Sequence, residues 1–306
     1  MNIKKTFLWK IARKVYMHLL PIRIQRILTR EKLSQIRYLE LHLADHCNLN
    51  CAYCSHFCPI AEPHFYDLTQ YENDFKKLGE LTGGYIKEVH LLGGEPLLNP
   101  DIVKYIEISR QYIPTGDLII VTNGILLSKM DRSFYEACKQ YNVAIRISEY
   151  PVKIDLDVDN IKRTYNIDIS AYDYKFKDGE KRIFHQFLLY PENISKKHNF
   201  PVERRLCGHC PFLENGKIYL CAQIPCAKFL EKKFDGMGGV KLKFPVNKRD
   251  YIDIHKTRNL KTILKFITKS CPWCRFCDRD TVIDREWRVS NRAKSEWIAE
   301  RNEVIV

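Results

Sequence analysis

The chain has no run of 18 apolar residues, so no helix in it is expected to span a membrane. Its first 30 residues contain neither Asp nor Glu. A secretory leader is not expected there, because basic residues interrupt the apolar positions and no small-residue cleavage site is obvious. Zinc-finger, helix-turn-helix and RNA-binding signatures are also missing, so no specific nucleic-acid partner is expected. The formal net charge of +13 therefore reads as a solvated basic surface or as a preference for acidic partners. Without a leader, the twelve cysteines argue for reduced thiols and metal rather than a disulfide framework, and for a cytoplasmic location. With 306 residues, 45% of them hydrophobic, the chain can bury a full-sized core.

What the sequence does have is a dense cysteine loop between His46 and Pro59. Cys47, Cys51 and Cys54 follow a C-x3-C-x2-C spacing. Thiolates are soft donors suited to iron–sulfur clusters. Three of them on a short loop can hold three irons of a cube and leave the fourth without a protein ligand. Two plainer readings stand beside this one. Clustered cysteines can bind structural zinc. Alternatively Cys58 closes the cube, since Cys51-x2-Cys54-x3-Cys58-Pro59 echoes the tail of a bacterial ferredoxin motif, and the cluster then only carries electrons.

From Arg37 the pattern is strand, loop, helix, strand. Tyr38–Leu43 alternates as a strand, and the cysteine loop leaves its C-terminal end. Leu68, Tyr71, Phe75, Leu78 and Leu81 mark one helix face, closed by Gly83 and Gly84. Strand Ile86–Leu92, helix Asp101–Tyr112, strand Leu118–Val121, helix Asp131–Tyr141 with a buried Cys138, and strand Val143–Ser148 follow. Such alternation implies a parallel sheet with crossover helices, whose functional loops leave the C-terminal strand ends. Gly93-Gly94-Glu95-Pro96 leaves one such end, Thr122-Asn123-Gly124 the next, and Ser148 closes another. Glycines permit close backbone approach to a ligand and Pro96 stiffens the exit. Thr122, Asn123 and Ser148 serve equally well as turn and capping residues.

The cysteine loop, with Tyr53 before its last thiol, and Gly93–Pro96 about forty residues later resemble the radical S-adenosylmethionine (radical SAM) family. The resemblance covers residues 37 to about 190, roughly half the chain. It implies an α/β fold, a partial (β/α)6 TIM-like barrel, with a small cysteine-rich C-terminal extension. It implies a 4Fe–4S cluster on Cys47, Cys51 and Cys54 with one open iron, where S-adenosylmethionine binds. Gly93, Gly94, Glu95 and Pro96 would then contact the methionine amino group, with Thr122, Asn123 and Ser148 near the rest of the cofactor. One electron splits the sulfonium, and the 5′-deoxyadenosyl radical takes a hydrogen atom from substrate. A low-potential donor such as flavodoxin or ferredoxin would supply that electron. His56, Glu62, His64, Glu149 and Tyr150 lie beside these motifs and are candidate substrate contacts.

Three regions are expected: 1–36, a basic amphipathic helix; 37–195, the radical SAM core; and 196–306, an auxiliary-cluster region ending in a helix. Residues 1–30 carry eight Lys or Arg between helically spaced apolar residues, a pattern that can lie on an anionic membrane surface or pack on the protein's own body. In the third region Asn215-Gly216 signals a hairpin, bringing Cys210 and Cys221 close. With the distant Cys274 and Cys277 they have the spacing of a four-thiolate site, for iron–sulfur or for zinc. The pattern resembles the twitch and SPASM extensions of radical SAM enzymes, although the full SPASM tail is missing. One auxiliary cluster is the expectation, on Cys210, Cys221, Cys274 and Cys277, with Cys207 as a further candidate and Cys226 and Cys271 spare. Trp287 and Trp297 read as packing anchors in a charged helical tail. The function expected is a radical SAM enzyme acting on a peptide or protein side chain, or on a carbohydrate-like small molecule. The rivals are an iron–sulfur electron carrier and a zinc-stabilised binding module.

Overall fold

The computed structural model describes residues 35–152, 157–172, 183–191, 210–237, 242–277 and 283–299. The chain divides into two units, Met1–Ser34 and Gln35–Val306. The basic segment expected to form a membrane-facing helix lies almost wholly outside the described residues.

The second unit opens with β1 (Leu39–Ala44), α1 (Leu68–Thr82), β2 (Tyr85–Gly93), α2 (Ile102–Tyr112), β3 (Thr115–Thr122), α3 (Arg132–Gln140), β4 (Val143–Ser148), α4 (Val158–Tyr165) and β5 (Ile169–Tyr172). The five strands pair in chain order and all run parallel. All six residues of β1 are buried, as expected of a strand covered on both faces. Helix starts are set by side chains: Asp67, Asp131 and Asp157 each accept a backbone N–H from the first turn of α1, α3 and α4. Gly83 ends α1 in the left-handed region at φ 64°. Each crossover helix returns the chain to the same edge, so the β1–β4 exits gather at one end of the sheet.

The remaining strands are β6 (Ile183–Gln186), β7 (Phe212–Glu214), β8 (Lys217–Tyr219), β9 (Tyr251–Asp253) and β10 (Ile283–Glu286), with helices α5 (Gln223–Phe234) and α6 (Leu260–Ile267). The sixth strand in chain order does not extend the parallel run: β6 pairs antiparallel with β10 in a separate two-stranded sheet. Instead β7 adds to the other side of β1, in parallel, and β8 and β9 follow antiparallel. The expected hairpin is present, with Asn215 at φ 47° and Gly216 at φ 72°, the two positive values a two-residue turn needs. It is pinned to α1 through the fully buried Asp74, which accepts from Tyr66 Oη at 2.6 Å and from Gly216 N at 2.7 Å.

Helices α5 and α6 pack their apolar faces into the core. One expectation for the C-terminal third is corrected. The tail is not helical in its described part: residues 283–299 form β10, an irregular stretch and a single 3-10 turn. Pairing with β6 overrides the local charge pattern there.

Glu40, on β1 beside the β7 junction, is 5% exposed. Burial pushes its carboxyl up to about 7, against the hydrogen bond donated by Tyr38 Oη at 2.7 Å. The folded chain therefore keeps a proton that the unfolded chain loses, and stability falls as pH rises from about 4.5 to about 7. Urea titrations across this window are expected to show Glu40→Gln losing a pH-dependent part on the order of 2 kcal/mol. An unchanged slope would contradict the assignment.

Candidate active site

The end of β1 and the end of β2 are joined backbone to backbone. Gly94 N–H donates to Ala44 O at 2.8 Å, and Glu95 N–H to His46 O at 3.1 Å. A Cβ on Gly93 would run into the Ala44 carbonyl, and one on Gly94 into the His46 carbonyl. Only glycine allows this approach, and it sets Gly93-Gly94 against the start of the cysteine loop. A cleft opens between them, enclosing about 730 Å³ with its mouth included. Cys47, Cys51, Cys54 and Cys58 line it from the loop, Gly93 and Gly94 from the β2 exit, Thr122 and Asn123 from the β3 exit, and Ser148 from the end of β4. Tyr150 and Phe184 add aromatic rings to the lining.

Glu95 does not project freely into this space. Its fully buried carboxylate accepts from Thr122 Oγ1 at 2.6 Å, Asn123 N at 2.9 Å and Leu97 N at 3.1 Å. Burial pushes its pKa up to about 7, against the pull of those three donors. The Asn123 side-chain amide then reaches the cysteine loop, donating to Asn48 Oδ1 at 2.7 Å, with Cys47 Sγ 3.7 Å away. Glu95, Thr122 and Asn123 thus tie three strand exits together around the thiols.

The family model described as the Radical SAM superfamily matches residues 41–174. GTP 3',8-cyclase of Aliarcobacter butzleri is 34% identical over 112 residues, 36% of this chain and 35% of that protein. That match spans about a third of the relative's length. GTP 3',8-cyclase of Clostridium acetobutylicum is 26% identical over 262 residues, 80% of this chain and 77% of that one. Among solved structures, BtrN in complex with AdoMet and 2-DOIA aligns with 81% of this chain and 98% of its own, at 14% identity and a TM-score of 0.48. Native anSMEcpe with bound AdoMet aligns with 78% and 88%, at 16% identity and 0.44.

Residues 41–174, somewhat less than half of the chain, are thus similar to the radical SAM superfamily. That similarity supports an enzyme with a 4Fe–4S cluster and S-adenosylmethionine as its cofactors.

The thiols of the cleft suit such a cluster. A cube takes one thiolate per iron, and Cys47, Cys51 and Cys54 all line the cleft from one loop. The loop turns through two left-handed residues, Tyr53 at φ 64° and Phe57 at φ 58°. Cys54 is lowered to about 7 by a hydrogen bond from the Cys58 thiol, against burial, with help from the backbone N–H groups of Cys58, His56 and Phe57. Such a ring of donors favours the thiolate, the form that binds metal. Cys47 is pushed up to about 12 by burial, against the N–H of Leu49 at 3.3 Å.

The other expected residues divide. Tyr53 is not in the cleft lining; its ring lies under the Arg288 guanidinium at 5.0 Å. Pro96 is buried and starts a 3-10 turn behind the cleft. His56 and Tyr150 face the cleft, whereas Glu62 and His64 line a separate, larger cavity behind the loop with Lys228 and Arg292. Glu149 is not among the residues lining either cavity. In the C-terminal region, Phe212 pairs with Tyr219, so Cys210 and Cys221 flank the hairpin symmetrically, each two residues beyond that pair. Cys277 Sγ lies 3.6 Å from Gln223 Oε1, two residues after Cys221. Cys271, read as spare, has its sulfur 3.8 Å from that of Cys274. Cys226 is buried in the core, and Cys207 lies outside the described residues.

Sequence reasoning missed the partners of the loop from the far end of the chain. Ala52 N–H donates to Arg288 O at 2.9 Å and Ser290 N–H to Asn50 O at 2.8 Å. Trp297 Nε1 donates to Cys54 O at 3.0 Å and Trp287 Nε1 to Cys51 Sγ at 3.2 Å. No local signal marks them, because the pairs are more than 230 residues apart.

Replacing Cys47, Cys51 or Cys54 singly by serine is expected to remove about four iron atoms per chain after anaerobic reconstitution. Cys138→Ser, on the buried face of α3, should leave the iron content unchanged. Elemental analysis checks both, and full iron in any of the three variants would exclude that residue as a ligand.

Proposed function

We propose that this enzyme abstracts a hydrogen atom from a peptide or protein side chain, or from a carbohydrate-like small molecule, admitted through the mouth of the cleft. One observation carries the reading: three loop thiols, the Gly93-Gly94 backbone and the β3 and β4 exits converge on one cleft. When bound, the cluster and S-adenosylmethionine together supply a 5′-deoxyadenosyl radical, the hydrogen acceptor of the reaction. The chain's own part is to hold and to exclude. Cys47, Cys51 and Cys54 hold the cluster. Gly93 and Gly94 leave room for the cofactor against the backbone, Glu95 keeps that backbone in place, and Thr122, Asn123 and Ser148 offer polar atoms along the wall. Tyr150 and Phe184, whose rings are in the cleft lining, help keep bulk water from the reacting centre.

The same proposal gives the C-terminal region one auxiliary 4Fe–4S cluster on Cys210, Cys221, Cys274 and Cys277, with Cys207 as the alternative first ligand. The link from Cys277 through Gln223 to the Cys221 turn supports it. A flavodoxin or ferredoxin is the proposed electron donor, and residues 1–30 the proposed membrane contact. A second reading of the substrate rests on the relatives. GTP 3',8-cyclase of Clostridium acetobutylicum aligns with most of both chains, which makes GTP the first nucleotide to offer.

Anaerobic protein given S-adenosylmethionine and dithionite is expected to release 5′-deoxyadenosine, detected by liquid chromatography. Cys51→Ser should abolish this release, and Cys58→Ala should retain it. If no 5′-deoxyadenosine forms and Cys58→Ala alters the cluster's electron paramagnetic resonance spectrum, the protein is an electron carrier instead. Zinc in place of iron would leave a structural binding module. A cyclised product from GTP would decide for the second substrate.

A further inference from the structure

We infer that Trp287 tunes the reduction potential of the cluster, by donating its indole N–H to the Cys51 sulfur. This rests on the cluster assigned to Cys47, Cys51 and Cys54 above. The nitrogen–sulfur distance is 3.2 Å, within reach of a hydrogen bond to sulfur. The donor does not come from the loop, unlike the Leu49 N–H at Cys47 or the three backbone N–H groups at Cys54. It arrives from the opposite end of the chain, and the approach is fixed on several sides.

Cys51 and Val289 form an antiparallel bridge, with backbone hydrogen bonds Ala52 to Arg288 and Ser290 to Asn50. Arg288 ion-pairs with the buried Glu296 at 2.9 Å and stacks its guanidinium over Tyr53. Glu296 also accepts the backbone N–H of Asn291 at 2.9 Å. Trp297, next along the chain, holds the Cys54 carbonyl. The segment from Trp287 to Trp297 is thus built against the cluster loop, and its first tryptophan directs a polar hydrogen at a ligand sulfur.

The physical consequence follows from charge. A hydrogen bond to a ligand sulfur stabilises the cluster more strongly once it has gained an electron, because the sulfur is then more negative. Hydrogen bonds to the sulfurs are among the determinants of cluster potential. A bond to a charged acceptor is stronger than a neutral one, and the difference between the two oxidation states is a part of that strength. Loss of the N–H is therefore expected to lower the ratio of reduced to oxidised cluster by about three- to tenfold at a fixed ambient potential. A tenfold change corresponds to about 59 mV for one electron.

The test is a redox titration of the anaerobically reconstituted protein, followed by electron paramagnetic resonance. Two altered proteins are compared with the unaltered chain. One is Trp287→Phe. The other carries at position 287 the tryptophan isostere in which benzothiophene replaces indole, so that shape is kept and only the N–H is lost. Both are expected to titrate at a more negative potential than the unaltered protein while holding the same iron. Equal potentials in all three would overturn the inference. So would a failure of both altered proteins to take up iron, since the donor would then hold the cluster rather than tune it. If the unaltered protein shows no cluster that responds to S-adenosylmethionine, the proposed function itself fails. That result is distinct from a responsive cluster whose potential ignores Trp287.

Discussion

The contact on which the site depends is made by backbone alone. The β2 exit lies so close to the β1 exit that Gly94 and Glu95 hydrogen-bond the carbonyls of Ala44 and His46. No side chain fits between them. This single approach orients the first turn of the cysteine loop and opens the cleft at the same place. A parallel sheet provides the setting, because its crossover helices bring successive strand exits to one end. The glycines convert that general property into a specific cradle.

Buried polar groups then lock the cradle. Glu95 is withdrawn from water and held by one hydroxyl and two backbone N–H groups, so it serves as a staple between β2 and β3. Asn123 carries the connection on to the cysteine loop through Asn48. Buried groups satisfied in this way rigidify a site, whereas an unmet partner would be costly. Within the loop, the Cys58 thiol and the backbone N–H groups around Cys54 favour the thiolate of that one residue, whereas burial disfavours it at Cys47. Tyr53 and Phe57 hold the loop's left-handed turns.

The far end of the chain is part of the same construction. The segment around Trp287–Trp297 adds a short strand-like pairing to the cysteine loop and covers it. Its two tryptophans act through their N–H groups as well as their rings, since both indoles donate to the loop. The buried Glu296 anchors the segment by pairing with Arg288 and receiving Asn291. The C-terminal hairpin is joined to the core in a comparable way, through Asp74 of α1. In both places one buried carboxylate connects parts of the chain that are distant in sequence.

Periodicity alone located β1, β2, β4 and α1 to α3 within a residue or so and found β3 without its first three residues, because these elements are patterned by burial and the helices α1 and α3 start on their own caps. The cysteine spacing and Gly93–Pro96 likewise marked the cleft, since both motifs act through local backbone and side-chain chemistry. What the residues could not express was pairing between distant segments. Whether β6 would join β5 or β10, and whether the charged tail would coil or pair, depended on partners about a hundred residues away. The donor at Cys51 depended on one 236 residues away. Local composition therefore determined the chemistry this chain carries. The tertiary structure decided which distant groups complete it, because a hydrogen bond depends on position in space and leaves no periodic trace along the chain.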